Sequence, residues 1–308
     1  MNAACHVLLR AFWSSKRVTL LWRESSIGGL HMSVSGIFDW KRVVSICAVI
    51  VSMAASALAV EINAGGTGSS APLLRLLATE YAKTAPGFRL KQVEPPLGSG
   101  GAVRALASGT IELAVSGRPL KSDEIAAVGR SIELARTPFV LVTRDGSRPK
   151  GFSLQELADV YRGKILHWDN GVPLRLILRS AFESDTEILR HMSADMDRAV
   201  QAAFERKGMP IGENDLDTLD LVERIPGAMA PTTLGLISTL GKNTRVLPLD
   251  GLTPSAKALA NGSYPWSKSL YVVIGKEPGP AVKGFVDFLR TPRAREIMLR
   301  HEYLPASK

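Results

Sequence analysis

The chain has 308 residues, 45% of them hydrophobic and 22% charged, with a formal net charge of +9. That composition excludes a disordered or low-complexity polymer and leaves room for one or two domains with a full core. Both cysteines, Cys5 and Cys47, precede residue 60, so the rest of the chain carries no disulfide framework and no thiolate site for a metal or for catalysis.

Residues 1–31 fit no export signal, whereas 41–59, KRVVSICAVIVSMAASALA, have the parts of one. Lys41 and Arg42 supply the basic start, Val43 to Ala54 an apolar core, and Ala57-Leu58-Ala59 a small-x-small cleavage site. The expectation is a leader over 1–59, with Met32 as the true start and 1–31 a misassigned extension. The apolar run is short for a membrane span, and no cysteine follows it to take a lipid. Six of the 38 Lys/Arg and two of the 29 acids lie before Val60, which leaves the exported part at +5. It has no basic run of the kind that marks a nucleic-acid surface.

From Val60 onward strands and helices alternate, which predicts an α/β fold. AVEIN is a strand, and GGTGSSAPLL at 65–74 turns into a helix reaching about Lys83. FRLKQVE alternates as a strand, GSGG at 98–101 opens a second helix, and IELAVSG is strand-like. Residues 121–130 read as a helix capped by Ser122, and FVLVTR as a buried strand. In SLQELADVYRG, Ser153 and Glu156 form a capping box and Gly163 closes the helix. Helices are expected at 186–192, 196–207 and 215–224. PTTLGLISTLG reads as a turn into a short helix, RVLPLD as an edge strand broken by Pro248, and SLYVVIG as a buried strand. Two closing helices follow, the second capped by Thr291 with Pro292 at its first position.

Three helix starts carry the chemistry. In the first, Gly66-x-Gly68-x-x-Ala71 fits a dinucleotide fingerprint, with Glu94 at the end of the next strand. A lone fingerprint is weak, an exported chain has no supply of nicotinamide, and no Gly-Lys-Ser/Thr follows to make a Walker loop. Taken alone, the stretch would be a tight turn with Ser69 or Ser70 as an ordinary cap. Two similar starts accompany it: GSGG at 98–101, and Ser184-Asp185-Thr186 just after Arg179. Together they describe an oxyanion receptor. Free amides and hydroxyls donate, helix ends lend partial positive charge, and Arg179 adds a full charge in a planar fork.

In the order and spacing of these stretches, together with SLQELADVYRGKILHW and NGSYPWSKSLYVV, the chain resembles the periplasmic phosphate-binding family, the substrate-binding proteins of ABC phosphate transporters. The resemblance implies a type II periplasmic binding fold. Two α/β lobes, 60–143 with 251–308 and 144–250, would be joined by crossing hinge strands, with the anion in the cleft between them. It implies Ser69, Ser70, Ser99, Gly100, Arg179, Ser184 and Thr186 as ligand-binding residues, without cofactor, metal or catalysis, and Asp185 between the last two is a further candidate. It also implies a monomer in the periplasm that closes on phosphate or a related oxyanion and delivers it to a membrane permease.

The chain departs from that family's pattern in three places: at Gly117, at Ser184-Asp185-Thr186, where members have Ser-Gly-Thr one residue nearer the arginine, and in GAMAPTTLG, which lacks their aromatic. Where members carry an acid after the IELAVS strand, to accept the proton of hydrogen phosphate, this chain has Gly117 followed by Arg118. Asp185 either points outward as a helix-start acid or replaces that acceptor. Arg118 either pairs with a surface acid or reaches the cleft as a second cation. His167 and Trp168 read as packing residues. Competing functions are an oxyanion receptor for a membrane sensor, an exported phosphohydrolase, for which no nucleophile–base pair is evident, and a dinucleotide-binding oxidoreductase.

Overall fold

A computed structural model describes residues 60–144, 148 and 150–307; the expected leader lies outside them. The strands are β1 (Val60–Gly66), β2 (Phe88–Gln92), β3 (Leu113–Ser116), β4 (Arg130–Thr143), β5 (Arg175–Leu176), β6 (Leu178–Arg179), β7 (Ile211–Gly212), β8 (Ala228–Thr233), β9 (Arg245–Leu247), β10 (Ser267–Ile274) and β11 (Leu304–Pro305). The helices are α1 (Ala71–Ala82), α2 (Gly98–Ala107), α3 (Ser122–Ala127), α4 (Leu154–Arg162), α5 (Ser184–His191), α6 (Ala194–Glu205), α7 (Asp215–Arg224), α8 (Leu234–Leu240), α9 (Ala256–Ala260), α10 (Pro280–Phe288) and α11 (Pro292–Arg300). Among the described residues no helix is long and apolar enough to cross a membrane.

The principal sheet has the order β2-β1-β3-β10-β4-β8-β5, with β9 and β11 also pairing β4. β4 runs through both halves. Arg130 to Pro138 pair antiparallel with β10, and Phe139 to Thr143 pair with β8 and β9. Pro138, which has no N–H to give a ladder, stands where one set of partners ends and the next begins.

Each half buries both faces. On one side of β1, β3 and β10, Ile62, Leu113 and Val272 pack with Leu77 of α1 and Phe285 of α10; on the other, Ala114 and Val273 meet Val103 of α2. In the second half the period-2 alternation of β4 sends Phe139 and Leu141 to a cluster with Tyr161, Trp168 and Met196. Val140 and Val142 go to the opposite cluster, with Leu219 and Leu236. Trp168 has the packing role expected of it, with its indole N–H donating to the Gly227 carbonyl at 2.9 Å.

Local sequence signals set most helix ends. Ser153 accepts from the Glu156 amide, the Glu156 carboxylate accepts from the Ser153 amide, and Gly163 closes α4 at φ 78°. Thr291 caps α11 ahead of Pro292. Three expectations need correction. Lys121, not Ser122, is the cap position of α3, because the Glu124 carboxylate takes the Lys121 amide. Residues 130–138, beyond the FVLVTR segment, are strand. The AMAPTT segment before α8 is the fully buried strand β8, because pairing to β4 and burial override a turn-like composition.

Candidate functional site

Five segments end at one place where the two halves of the sheet meet. β1 leads into a single 3-10 turn, Gly68–Ser70, whose three residues are buried. The Tyr303 hydroxyl near the C-terminus donates to the Ser69 carbonyl at 3.0 Å and fixes this turn. The α2 start brings Ser99, the end of β3 brings Gly117, the α5 start brings Ser184 and Asp185, and the α7 start brings Asp215.

Two cations lie at the centre. Arg179, 2% exposed, faces Asp185 at 3.3 Å through Nε, and its Nη1 donates to the Gly212 carbonyl and to Thr218 Oγ1, each at 2.9 Å. Its Nη2 lies 3.7 Å from both Glu183 and Asp215 and has no hydrogen-bond partner. The second cation is Lys268 of β10, fully buried, with Nζ 2.6 Å from Asp185 Oδ1 and 3.0 Å from Asp215 Oδ1. Arg179, the one full positive charge expected at these turns from the sequence, is thus joined by a second. The signal for Lys268 lay in its phase: it shares the inward side of β10 with Leu270 and Val272 and alternates with Ser267, Ser269 and Tyr271.

Asp185 does not point outward; it is buried against both cations. Asp215, expected only as the first residue of a helix, is a full member of the site, and nothing in its local sequence distinguished it. Burial pushes the Asp215 carboxyl upward, but the charges of Lys268 and Arg179 outweigh this and hold it well below the usual carboxylate range. Burial and the neighbouring Asp215 charge raise Asp185, only partly offset by Lys268 and Arg179. Burial alone would lower Lys268, but the two carboxylates turn the balance and keep it charged.

The hydroxyls differ in what they can still donate. Ser70 Oγ gives its proton to the Thr67 carbonyl at 2.8 Å, and Thr186 Oγ1 gives its own to the Ser180 carbonyl at 2.8 Å, so both shape turns. Ser69 Oγ lies 3.2 Å from Thr67 Oγ1. Ser99 Oγ accepts from the Gly117 amide at 2.8 Å, which leaves its own proton free to donate. Ser184 Oγ is buried with no partner. A Cβ at Gly117 would stand 2.7 Å from Lys268 Cε and 2.8 Å from Ser184 Oγ, so the lysine stem passes through space that a larger residue would fill.

Arg118 does not reach this group. Its guanidinium is clamped by both oxygens of Glu124, at 2.8 and 2.7 Å, and Gly100 lies beside it on the outer side of α2. Outside Gly117 and Ser184 the surface opens into a cleft of about 510 Å³ whose walls include Ile188, Trp266 and Ser269. Against Gly66 to Ala71 the space is about 20 Å³, which does not admit a nucleotide. Glu94 is turned to solvent with Arg75. Among the described residues no group of three His, Cys, Asp or Glu is placed to hold a metal.

A family model described as a PBP superfamily domain matches residues 52–293. A solved structure from Clostridium perfringens, assigned as a phosphate ABC transporter substrate-binding protein and holding phosphate, is 19% identical. It superposes with a TM-score of 0.68 over 80% of this chain and 100% of that one. An ABC-type phosphate transport receptor from Vibrio cholerae is 18% identical, with a TM-score of 0.58 over 80% and 100%. A phosphate-binding protein from Stenotrophomonas maltophilia is 15% identical, with a TM-score of 0.59 over 80% and 91%. At these identities the likeness establishes the fold. No curated protein matches the chain.

Proposed function

This chain belongs to the PBP superfamily, and on that premise we propose that it is an exported solute-binding protein that captures phosphate or a related small oxyanion and delivers it to an ABC transporter permease. The observation that carries this reading is the convergence of two buried cations, Arg179 and Lys268, with the free protons of Ser99 and Ser184 at one point between the halves of the sheet. Donors of that kind, fixed before the ligand arrives, bind a tetrahedral anion without paying again for their own ordering. The solved structures of like fold that are described as phosphate receptors support the same ligand class.

In this reading residues 41–59 direct export to the periplasm, and the lobes are 60–143 with 251–308 and 144–250. β4 is one of the strands on which they hinge, and the receptor works as a monomer. Ser69, Ser70, Asp185 and Thr186 act mainly by shaping and charging the seat, while Ser99, Arg179, Ser184 and Lys268 face the anion; Gly100, beside Arg118, takes no part in it. Calorimetric titration of the stripped protein with phosphate and then sulfate tests it. Tight binding of phosphate is expected, and heat-silent titrations with both anions would remove the reading.

A further inference from the structure

Asp215 sits where a first-turn helix acid has nothing to do for its own helix. The cap of α7 is Asn214, whose side-chain oxygen already accepts from the Leu216 and Asp217 amides at 2.9 and 3.0 Å. The Asp215 carboxylate is instead carried across to the other half of the sheet. Its Oδ2 accepts from the Thr67 hydroxyl at 3.0 Å, and its Oδ1 meets the Lys268 ammonium at 3.0 Å. It also presses on the glycine-serine turn: a Cβ at Gly68 would stand 3.1 Å from the Asp215 backbone N, Cβ and Oδ2, so a larger residue there would push the two segments a few tenths of an ångström apart. A hydroxyl, an ammonium, a guanidinium at 3.7 Å and a close backbone turn are the partners an incoming oxyanion would seek. The two buried cations are already balanced by two buried carboxylates, Asp185 and Asp215.

We propose that Asp215 is an internal anion that occupies the oxyanion seat, and that ligand binds by exchange. This rests on the oxyanion reading of the site. The entering anion takes Thr67 and Lys268 from the Asp215 carboxylate, which moves out with the first turn of α7. One negative charge leaves as the anion enters, which limits the excess of negative charge around Lys268 and around Arg179, whose Nη2 already lies 3.7 Å from Glu183. Asp185, tied to Arg179 and Lys268 on the far side, stays in place and orients both.

The test is a pair of titrations, phosphate into the stripped wild-type protein and into Asp215→Asn, with circular dichroism to establish that both are folded. Removing the competing charge while keeping the side chain's shape is expected to tighten binding by about tenfold or more. Tighter binding by the variant when both bind supports the exchange and the receptor reading together. Binding by the variant alone supports the exchange and removes the reading of the wild-type protein as a phosphate receptor. Equal or weaker binding by the variant, with the wild type still binding, overturns the exchange and leaves the receptor reading standing. Binding by neither overturns both. If Asp215→Asn does not fold, carbon NMR of aspartate-labelled wild-type protein decides instead. Saturating phosphate should add one aspartate that titrates between about pH 3 and 6, and an unchanged set of titrating aspartates overturns the exchange.

Discussion

The Lys268 ammonium, on a central strand of one half of the sheet, lies 2.6 Å from the Asp185 carboxylate, which opens a helix of the other half. Neither side chain touches solvent. With Asp215 and Arg179 they make a buried group of four charges whose members come from β6, β10, α5 and α7. Such a group adds less net stability than its distances suggest, because each ion has lost its water, but removing one member leaves a partner unpaired and is expensive.

Lys268→Met is therefore expected to cost about 3–5 kcal/mol at pH 7. With the ammonium gone, Asp185, already raised by burial and by the Asp215 charge, loses the cation that partly offsets them and is pushed further above its unfolded pKa. A carboxyl raised in the folded state penalises folding above that raised value, and the penalty lifts as pH falls below it. Urea unfolding at pH 7 and at pH 5 should show the variant's deficit shrinking at the lower pH. A deficit of the same size at both would mean that Lys268 acts through packing alone.

Arg179→Ala is expected to weaken phosphate binding by about 10- to 100-fold, the range for a hydrogen bond to a charged group. The unpartnered Nη2 is the part of the guanidinium free to face a ligand. Calorimetry on the folded variant measures the change, and an affinity within twofold of wild type would put the anion elsewhere.

Gly117→Ala tests whether the glycine is there for space. Its Cβ would enter within 2.7 Å of Lys268 Cε and 2.8 Å of Ser184 Oγ. Overpacking of this kind costs about 1–3 kcal/mol. A lowered melting temperature together with weaker anion binding is expected, since both neighbours belong to the seat. An unshifted melting point would show that the lysine stem moves aside freely.

The Arg118–Glu124 clamp predicts an acid-dependent term away from the buried charges. Its hydrogen bond to Arg118 holds the Glu124 carboxyl down to about 2 despite partial burial. A depressed folded pKa stabilises above the unfolded value and loses that contribution as pH falls toward the folded one. Glu124→Gln should be less stable than wild type by about 1–2 kcal/mol at pH 7. The gap should close between about pH 4.5 and 2, read by urea unfolding across that range.

By itself the sequence determined the alternation of strands and helices, the capping of α4 and α11, and the three glycine- or serine-bearing helix starts. All of these are set by residues within a few positions of one another, where backbone geometry and short-range hydrogen bonds decide. It singled out Ser99, Arg179 and Ser184 because each stands in such a local pattern, and the structure brings all three close to Lys268 or Asp185. The segment 130–138 went unread as strand because its pairing partner, β10, lies more than 120 residues further along the chain. Lys268 left one trace, its phase with Leu270 and Val272, and Asp215 left none, since an acid at a helix start is ordinarily solvated. Only the tertiary structure decided that Asp185 and Asp215 turn inward and meet Lys268. A charge is buried or exposed according to what lies opposite it, and here the opposite groups come from strands and helices remote in sequence.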